Sequence, residues 1–329
     1  MARVAGVSVA TISRVINKKA GVSELAAAKV AKAIEELDYQ PSLLGKNLRR
    51  SHTKLVIVFI PTISNTFFSK VVLGMEAKAH ENDYNIIICD TRSEKAIEHK
   101  YIELIRNRFV DGAIFLSSSL ESAEMIKLSQ NYPIVQCCEF NDDIDVPCVS
   151  IDNEKAAYEI TKHLIKLGHK KIALITADDK LNASSMYHSA RLREQGYKRA
   201  LSESKIRANE EYIKRGKYNF KSGQLAMNEL LELKSAPTAV FAVADTIAIG
   251  ALKACRGKGL EVPKDVAIAG FDDISFSTMV EPPLTTIAQP QFDLGYKAME
   301  LLIERIGSGT PQRRKVILEH ELVIRGTTF

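Results

Sequence analysis

From Lys54 onward, short apolar runs without polar alternation recur between amphipathic stretches, and this pattern admits few folds. Leu55-Val56-Ile57-Val58-Phe59-Ile60 comes first, then a helix expected over about 67–82. Ile86-Ile87-Ile88, Ala113-Ile114-Phe115-Leu116, Ile134-Val135, Ile172-Ala173-Leu174-Ile175, Ala239-Val240-Phe241-Ala242-Val243 and Val266-Ala267-Ile268-Ala269 continue the series. A strand apolar on both faces needs cover on both, which a parallel sheet flanked by helices supplies. The pattern also restarts: Thr53-Lys54-Leu55-Val56 and His169-Lys170-Lys171-Ile172 open strand–helix series of similar length. We therefore expect an α/β core over 54–329 made of two doubly wound parallel-sheet lobes. Lobe one is expected over about 54–153 and 285–312, and lobe two over about 154–284 and 313–329. In open sheets of this kind ligands lie beyond the carboxyl ends of the strands, so the cleft between lobes is the expected site.

No window reaches the roughly 18 uninterrupted apolar residues of a membrane span, and the N-terminus has no signal-peptide pattern. A cytoplasmic protein without a membrane partner is expected. The five cysteines, Cys89, Cys137, Cys138, Cys148 and Cys255, form no Cys-x-x-Cys pair. They read as reduced thiols acting as small buried hydrophobes, although adjacent Cys137 and Cys138 could form a redox switch. The histidines show no metal-ligand spacing, and neither a metal nor a cofactor is expected. Phosphate loops, dinucleotide fingerprints, zinc-protease helices and nucleophile elbows are missing from the sequence, so an enzyme is not expected.

Charge is unevenly placed along the chain. Residues 1–54 carry a net +6 and the remainder −1, so the basic excess belongs to the first sixth. A solvated basic face would account for this, and so would a polyanion-binding headpiece. Local patterning favours the headpiece. Gly6 can take the left-handed conformation that ends a helix, Val7 can fill the corner, and Ser8 can cap the next helix. On that helix Ile12, Val15 and Ile16 share an inward stripe, leaving Val9, Ala10, Ser13, Arg14 and Asn17 outward. The outward face is small, polar and basic, as a reader of the major groove requires. A third helix is expected from a Ser23 cap to Asp38, with Val30, Ile34 and Leu37 as its stripe. These three helices make a small all-α helix-turn-helix headpiece over 1–40. Residues 41–53 have no core of their own. They read either as a linker or as a hinge helix that orders on DNA and inserts an apolar side chain into a minor-groove step.

The run Ala5-Gly6-Val7-Ser8-Val9-Ala10-Thr11-Ile12-Ser13-Arg14-Val15-Ile16-Asn17, with Tyr39-x-Pro41-Ser42 and Leu48 downstream, resembles the lactose-repressor/galactose-repressor family of bacterial transcription regulators. The resemblance continues through Pro237-Thr238-Ala239-Val240-Phe241, Pro263-x-Asp265-Val266 and Pro283-Leu284-Thr285-Thr286-Ile287 to Leu322-Val323-Ile324-Arg325-Gly326. It implies a periplasmic-binding-protein-like core of the ribose-binding type. It also implies a homodimer acting as a transcriptional repressor on a pseudo-palindromic double-stranded DNA operator. Val9 and Ala10 would face bases, and Arg14 would reach a base edge. Ser8, Thr11, Ser13 and Asn17 would hold phosphates, and Leu48 would be the minor-groove wedge, flanked by Arg49.

In the core, two aromatics beside an amide in Asn65-Thr66-Phe67-Phe68 suit a sugar ring, with core packing as the plainer account of Phe67 and Phe68. Arg193 could be an ordinary helix charge and Asp272 a helix cap. The resemblance implies instead that Asn65, Phe67, Phe68, Arg193, Tyr218, Asp272 and Gln289 hold a small-molecule effector, a sugar or sugar derivative. In that arrangement Arg193 and Asp272 grip hydroxyls, Phe68 and Tyr218 stack, and Asn65 and Gln289 complete the bonding. Two departures from the pentose pattern stand out: Cys138-Glu139 stands where such binders have Asp-Arg, and Ala244 replaces an Asn before Asp245, itself expected to cap its helix. A second possibility is a catabolite-control-type global regulator whose co-effector is a phosphorylated carrier protein. Relatives of this kind carry several more N-terminal residues, so a native start upstream of Met1 is expected. Without a heptad-bearing tail, a dimer rather than a tetramer is expected.

Overall fold

The structure, a computed structural model, describes residues 1–16, 20–38, 52–141, 144–177, 188–308 and 314–329. It divides into two compact units, 1–53 and 54–329. Asn17, Leu48, Arg49 and nearly all of the expected hinge lie outside the described residues.

In the first unit, α1 (Ala2–Ala5) ends on Gly6, which adopts φ 61° and donates its N–H to the Ala2 carbonyl. Ser8 then caps α2 (Val9–Ile16): its hydroxyl oxygen accepts the Thr11 N–H at 3.1 Å. Ser23 does the same for α3 (Glu24–Glu36), accepting the Ala26 N–H at 3.3 Å. Ala5, Ile12, Val30 and Ala33 are buried together, with Val7, Val15, Ile16 and Ile34 packed against them. The third helix is shorter than its periodicity predicts. Leu37 is its C-cap and is 45% exposed, and the inward place falls to Ala33, three residues after Val30.

The second unit holds two sheets. The first has the order β11-β5-β4-β3-β1-β2, formed by β1 (Leu55–Ile60), β2 (Asn85–Asp90), β3 (Gly112–Phe115), β4 (Ile134–Cys137), β5 (Cys148–Ile151) and β11 (Lys315–Leu318). All of its pairings are parallel. The second has the order β12-β10-β9-β8-β6-β7, formed by β6 (Ile172–Ala177), β7 (Ile213–Gly216), β8 (Ala239–Ala242), β9 (Ala267–Asp272), β10 (Thr285–Ala288) and β12 (Glu321–Val323). It is parallel except where β12 joins β10. The intervening helices are α4 (Thr66–Glu81), α5 (Lys95–Arg106), α6 (Ser122–Asn131), α7 (Asn153–Lys166), α8 (His188–Glu203), α9 (Phe220–Leu231), α10 (Asp245–Gly257) and α11 (Gln291–Ser308).

Burial on both faces explains the unalternating runs. Val56, Val58 and Ile60 enter one hydrophobic layer, while Ile57 and Phe59 enter the other, where Phe59 stacks on Phe115 with ring centroids 4.3 Å apart. Each such side chain removed from water contributes about 1.5–3 kcal/mol relative to exposure.

Two expected lobe boundaries are corrected. Residues 285–288 pair with β9 and so belong to the second sheet, and the chain crosses back only before α11, which packs on α4. Residues 315–318 pair with β5 in the first sheet, and only β12 returns to the second. The sequence pattern conceals both crossings because these strands are short and lie beside connectors. The crossing of α4 and α11 is backbone-close: a methyl at Gly74 would overlap the Phe292 carbonyl oxygen, and one at Gly295 would overlap that of Val71. Gly74→Ala is expected to destabilise the core by about 1–3 kcal/mol through overpacking, measured by urea unfolding. An unchanged midpoint would show that the helices separate without cost.

Candidate functional site

A cavity of about 510 Å³ lies between the two sheets and is lined from the carboxyl ends of strands in both. Pro61, Thr62 and Asn65 follow β1, Arg92 and Ser93 follow β2, Ser117 follows β3, and Cys138 and Glu139 follow β4. From the second sheet come Gly216 to Asn219 at the end of β7, Asp272 at the end of β9 and Gln289 after β10, with Arg193 reaching in from α8. All seven effector residues expected from the sequence, Asn65, Phe67, Phe68, Arg193, Tyr218, Asp272 and Gln289, are on this lining.

Arg193 is buried and tightly placed. Its Nε donates to Asn153 Oδ1 at 2.9 Å, its Nη1 donates to the Val243 carbonyl at 2.6 Å, and its guanidinium carbon sits 3.7 Å from the centroid of the Phe271 ring. Asp272 Oδ1 is 3.8 Å from Nη1 and accepts from Gln289 Nε2 at 2.7 Å. Arg193 is therefore not a plain helix charge, and its guanidinium is already satisfied in part by the protein. Nη2 carries no hydrogen bond within the described residues. Asp272 is not a helix cap either, since its carboxyl is taken by Gln289 and Arg193. Burial pushes the Asp272 carboxyl up to about 8 against the opposing pull of Arg193.

Asn65 combines two roles that the sequence leaves as alternatives. Its Oδ1 caps α4 by accepting the Phe67 N–H at 3.0 Å, and its amide nitrogen remains uncommitted among the described residues. Phe67 is buried in the core, and Phe68 is only partly so; the rings meet edge to face at 5.2 Å. Burial raises the Tyr218 hydroxyl well above the usual tyrosine range.

Glu139 spans the cleft: its carboxylate accepts the Ser189 N–H at 3.0 Å and the Ser189 hydroxyl, at the start of α8. Cys138 beside it is buried, and its thiol is pushed up, chiefly by burial. All five cysteines are buried and unbridged, with Cys137 and Cys138 sulfurs 3.7 Å apart.

Asp245 corrects another expectation. Ala244 holds the cap position of α10, and the Asp245 carboxylate instead accepts from the Ile274 N–H (2.9 Å), the Ser277 hydroxyl (2.8 Å) and the Thr286 hydroxyl (2.6 Å). It ties α10 to the segment after Asp272. Four lining residues, Arg92, Ser93, Cys138 and Asp272, have φ between 51° and 113°. Side-chain-bearing residues adopt that backbone only where their surroundings enforce it, and such strain gathers at ligand clamps. Sequence reasoning passed over Arg92, Ser93, Ser117, Lys217 and Asn153; their shared signal is position just beyond a strand's carboxyl end.

On the first unit, Val9 is 66% exposed, and Ala10, Ser8 and Arg14 are also exposed, while Thr11 and Ser13 are half-buried. The outward face of α2 is thus the small, polar and basic one expected. Among the described residues no helix is long and apolar enough to cross a membrane, and no group of three His, Cys, Asp or Glu could hold a metal ion.

The raised Asp272 carboxyl has a stability consequence. A carboxyl whose folded pKa lies above its unfolded value contributes fully below about 3.8 and loses that contribution as pH rises through about 8. Asp272→Asn should flatten the fall in melting temperature over that window, so that the variant gains on the parent as pH rises. Parallel pH profiles would show a freely ionised Asp272.

A family model described as bacterial regulatory proteins, lacI family, matches residues 1–42, and one described as periplasmic binding protein-like domain matches residues 161–328. The HTH-type transcriptional repressor CytR of Escherichia coli (strain K12) is 36% identical over 330 residues, covering 98% of this chain and 94% of that protein. Among solved structures, the lac repressor dimer bound to operator and the anti-inducer ONPF aligns with a TM-score of 0.85 at 27% identity, over 99% of this chain and 97% of that one. The complex of transcriptional regulator CelR with cellobiose aligns with a TM-score of 0.75 at 29% identity, over 99% and 98%. These relatives are transcription regulators and not enzymes. With its helix-turn-helix region followed by a two-lobed α/β core, the chain belongs to the lacI family of bacterial regulatory proteins.

Proposed function

We propose that the protein is a dimeric, sequence-specific transcriptional repressor whose operator affinity is set by a small molecule, a sugar or sugar derivative, bound in the cavity between the lobes. The observation that carries this reading is the cavity itself: strand ends of both sheets converge on it, with a buried guanidinium, a carboxyl and an amide side by side. Arg193 Nη2 and the free oxygens of Asp272 and Gln289 supply a donor and acceptors at one spot, which suits neighbouring hydroxyls. Phe68 and Tyr218 supply apolar faces, and the Asn65 amide a further donor. The operator-bound and cellobiose-bound relatives support the two binding roles at the level of family.

On the headpiece, Val9, Ala10 and Arg14 would meet base edges, and Ser8, Thr11 and Ser13 phosphates; Asn17, Leu48 and Arg49 keep the roles that the family resemblance implies. The organisation proposed is a headpiece over 1–40, a hinge over 41–53 and an effector core over 54–329. Ligand binding favours one lobe arrangement and thereby shifts the population competent for DNA. Coupling of this type is worth about 1–3 kcal/mol, or roughly 5- to 150-fold in affinity.

Arg14→Ala is expected to weaken specific operator binding by about 1–3 kcal/mol while sparing nonspecific binding. Equal losses on random DNA would make Arg14 a phosphate contact. For the cavity, thermal unfolding against sugars, sugar phosphates, sugar acids and nucleobases is the test, since a ligand at about 100 times its Kd adds about 2.7 kcal/mol. A stabilising compound should lose its effect in Arg193→Lys, which keeps the charge but not the planar fork. A silent panel would overturn the small-molecule reading in favour of a carrier-protein co-effector.

A further inference from the structure

Two cations line the mouth of the cavity from opposite lobes. Arg92 follows β2 in the first sheet and Lys217 follows β7 in the second, and both are exposed. Among the described residues neither side chain makes a hydrogen bond or ion pair. Only their backbones are tied: Arg92 N–H donates to Asp90 Oδ1 at 3.0 Å and Lys217 N–H donates to Ser222 Oγ at 3.1 Å. Elsewhere in the core, Lys78 pairs with Glu81, Arg199 with Glu154 and Arg325 with Asp273.

The backbone under these two cations is built rather than loose. Arg92 and Ser93 are consecutive non-glycine residues in the left-handed region, at φ 51° and 57°. Side chains hold the turn: Asp90 accepts from Arg92, and Thr91 Oγ1 accepts from Ser93 N–H at 3.3 Å while donating to the Ile60 carbonyl at 3.1 Å. On the facing lobe, Asn219 N–H donates to the Lys217 carbonyl at 2.8 Å, closing the turn that carries the ammonium group. The carboxyls on the lining do not answer these charges. Glu139 is engaged by Ser189, and Asp272 by Gln289 beside Arg193. Three cations, Arg92, Arg193 and Lys217, thus share the lining with two committed carboxyls.

The geometry points to a ligand that carries an anionic group, a phosphate or carboxylate, held at the cavity mouth between Arg92 and Lys217. This rests on the cavity being the small-molecule site; the uncharged part of the ligand reaches Arg193, Asp272 and Phe68. Guanidinium and ammonium bonds to such an anion are charge-assisted and about twice as strong as neutral ones. An anion bridging the lobes also relieves the repulsion between their two cations, so the charged substituent favours the closed arrangement.

The test uses the full chain and the double variant Arg92→Ser/Lys217→Ser, both probed by thermal unfolding and calorimetric titration. Inorganic phosphate is expected to stabilise the full chain more than chloride at equal ionic strength, and to bind the double variant at least about tenfold more weakly. Nonspecific salt exclusion acts on both proteins equally and cancels in that comparison. Glucose 6-phosphate and gluconate, each compared with glucose, separate the sources: a phosphorylated or acidic sugar binds more tightly than phosphate, whereas free anion matches it. Phosphate that acts no better than chloride, or equally on the double variant, overturns the proposal. A neutral panel compound that depends on Arg193, is untouched by the double variant and gains nothing from phosphorylation leaves the small-molecule reading standing and removes the anion from it.

Discussion

The environment of the Arg193 guanidinium is the constraint on which the rest of the core depends. A buried cation is costly unless hydrogen bonds and opposite charge surround it. Asn153 at the start of α7, the Val243 carbonyl after β8, the Phe271 face and Asp272 at the end of β9 provide those partners. These groups come from three separate elements, α7, β8 and β9, so satisfying one guanidinium holds their ends in register. Burial raises the Asp272 carboxyl to about 8 against the opposing pull of Arg193, poising a group at the cavity wall to change charge near neutral pH. Gln289 extends the chain of bonds to the segment where the polypeptide crosses back to the first lobe.

That placement requires rigid layers behind it. Both faces of β1 are buried, and the helices over it meet with backbone in contact at Gly74 and Gly295, leaving no slack in which α4 could shift. The α4 N-terminus, capped by Asn65, is consequently fixed over the cavity. Asp245 does the corresponding work in the second lobe by holding the segment after Asp272 through two hydrogen bonds and β10 through a third. Left-handed backbone at Asp272 and Cys138 then persists because the flanking structure enforces it.

Much of this was legible in the sequence. Unalternating runs announce two parallel sheets, Gly6 and Ser8 announce the turn between helices, and the seven cavity residues expected by resemblance line one cavity. What escaped has physical causes. β5 reads Cys-Val-Ser-Ile, with Ser150 buried because its hydroxyl donates to the Cys138 carbonyl, and β7 is a part-exposed edge of Ile-Lys-Arg-Gly; neither makes an apolar run. The side of the cleft to which 285–288 and 315–318 belong depends on pairing partners distant in the chain. Asp245 looks like a cap because it begins a helix, yet its acceptors serve residues about 30 and 40 positions away. Leu37 fits a helical stripe whose helix has already ended.

In the proposed reading, a ligand that completes the polar cluster around Arg193 changes the balance between lobe arrangements, and the headpieces report that balance as DNA affinity. The most direct measurement is the Kd of the full chain for a DNA site selected from random sequence, with and without a saturating compound that stabilises the core, in the parent and in Arg193→Lys. The account predicts a ligand-dependent change of about fivefold or more in the parent, absent in the variant. Equal DNA affinity with the cavity filled and empty would contradict it.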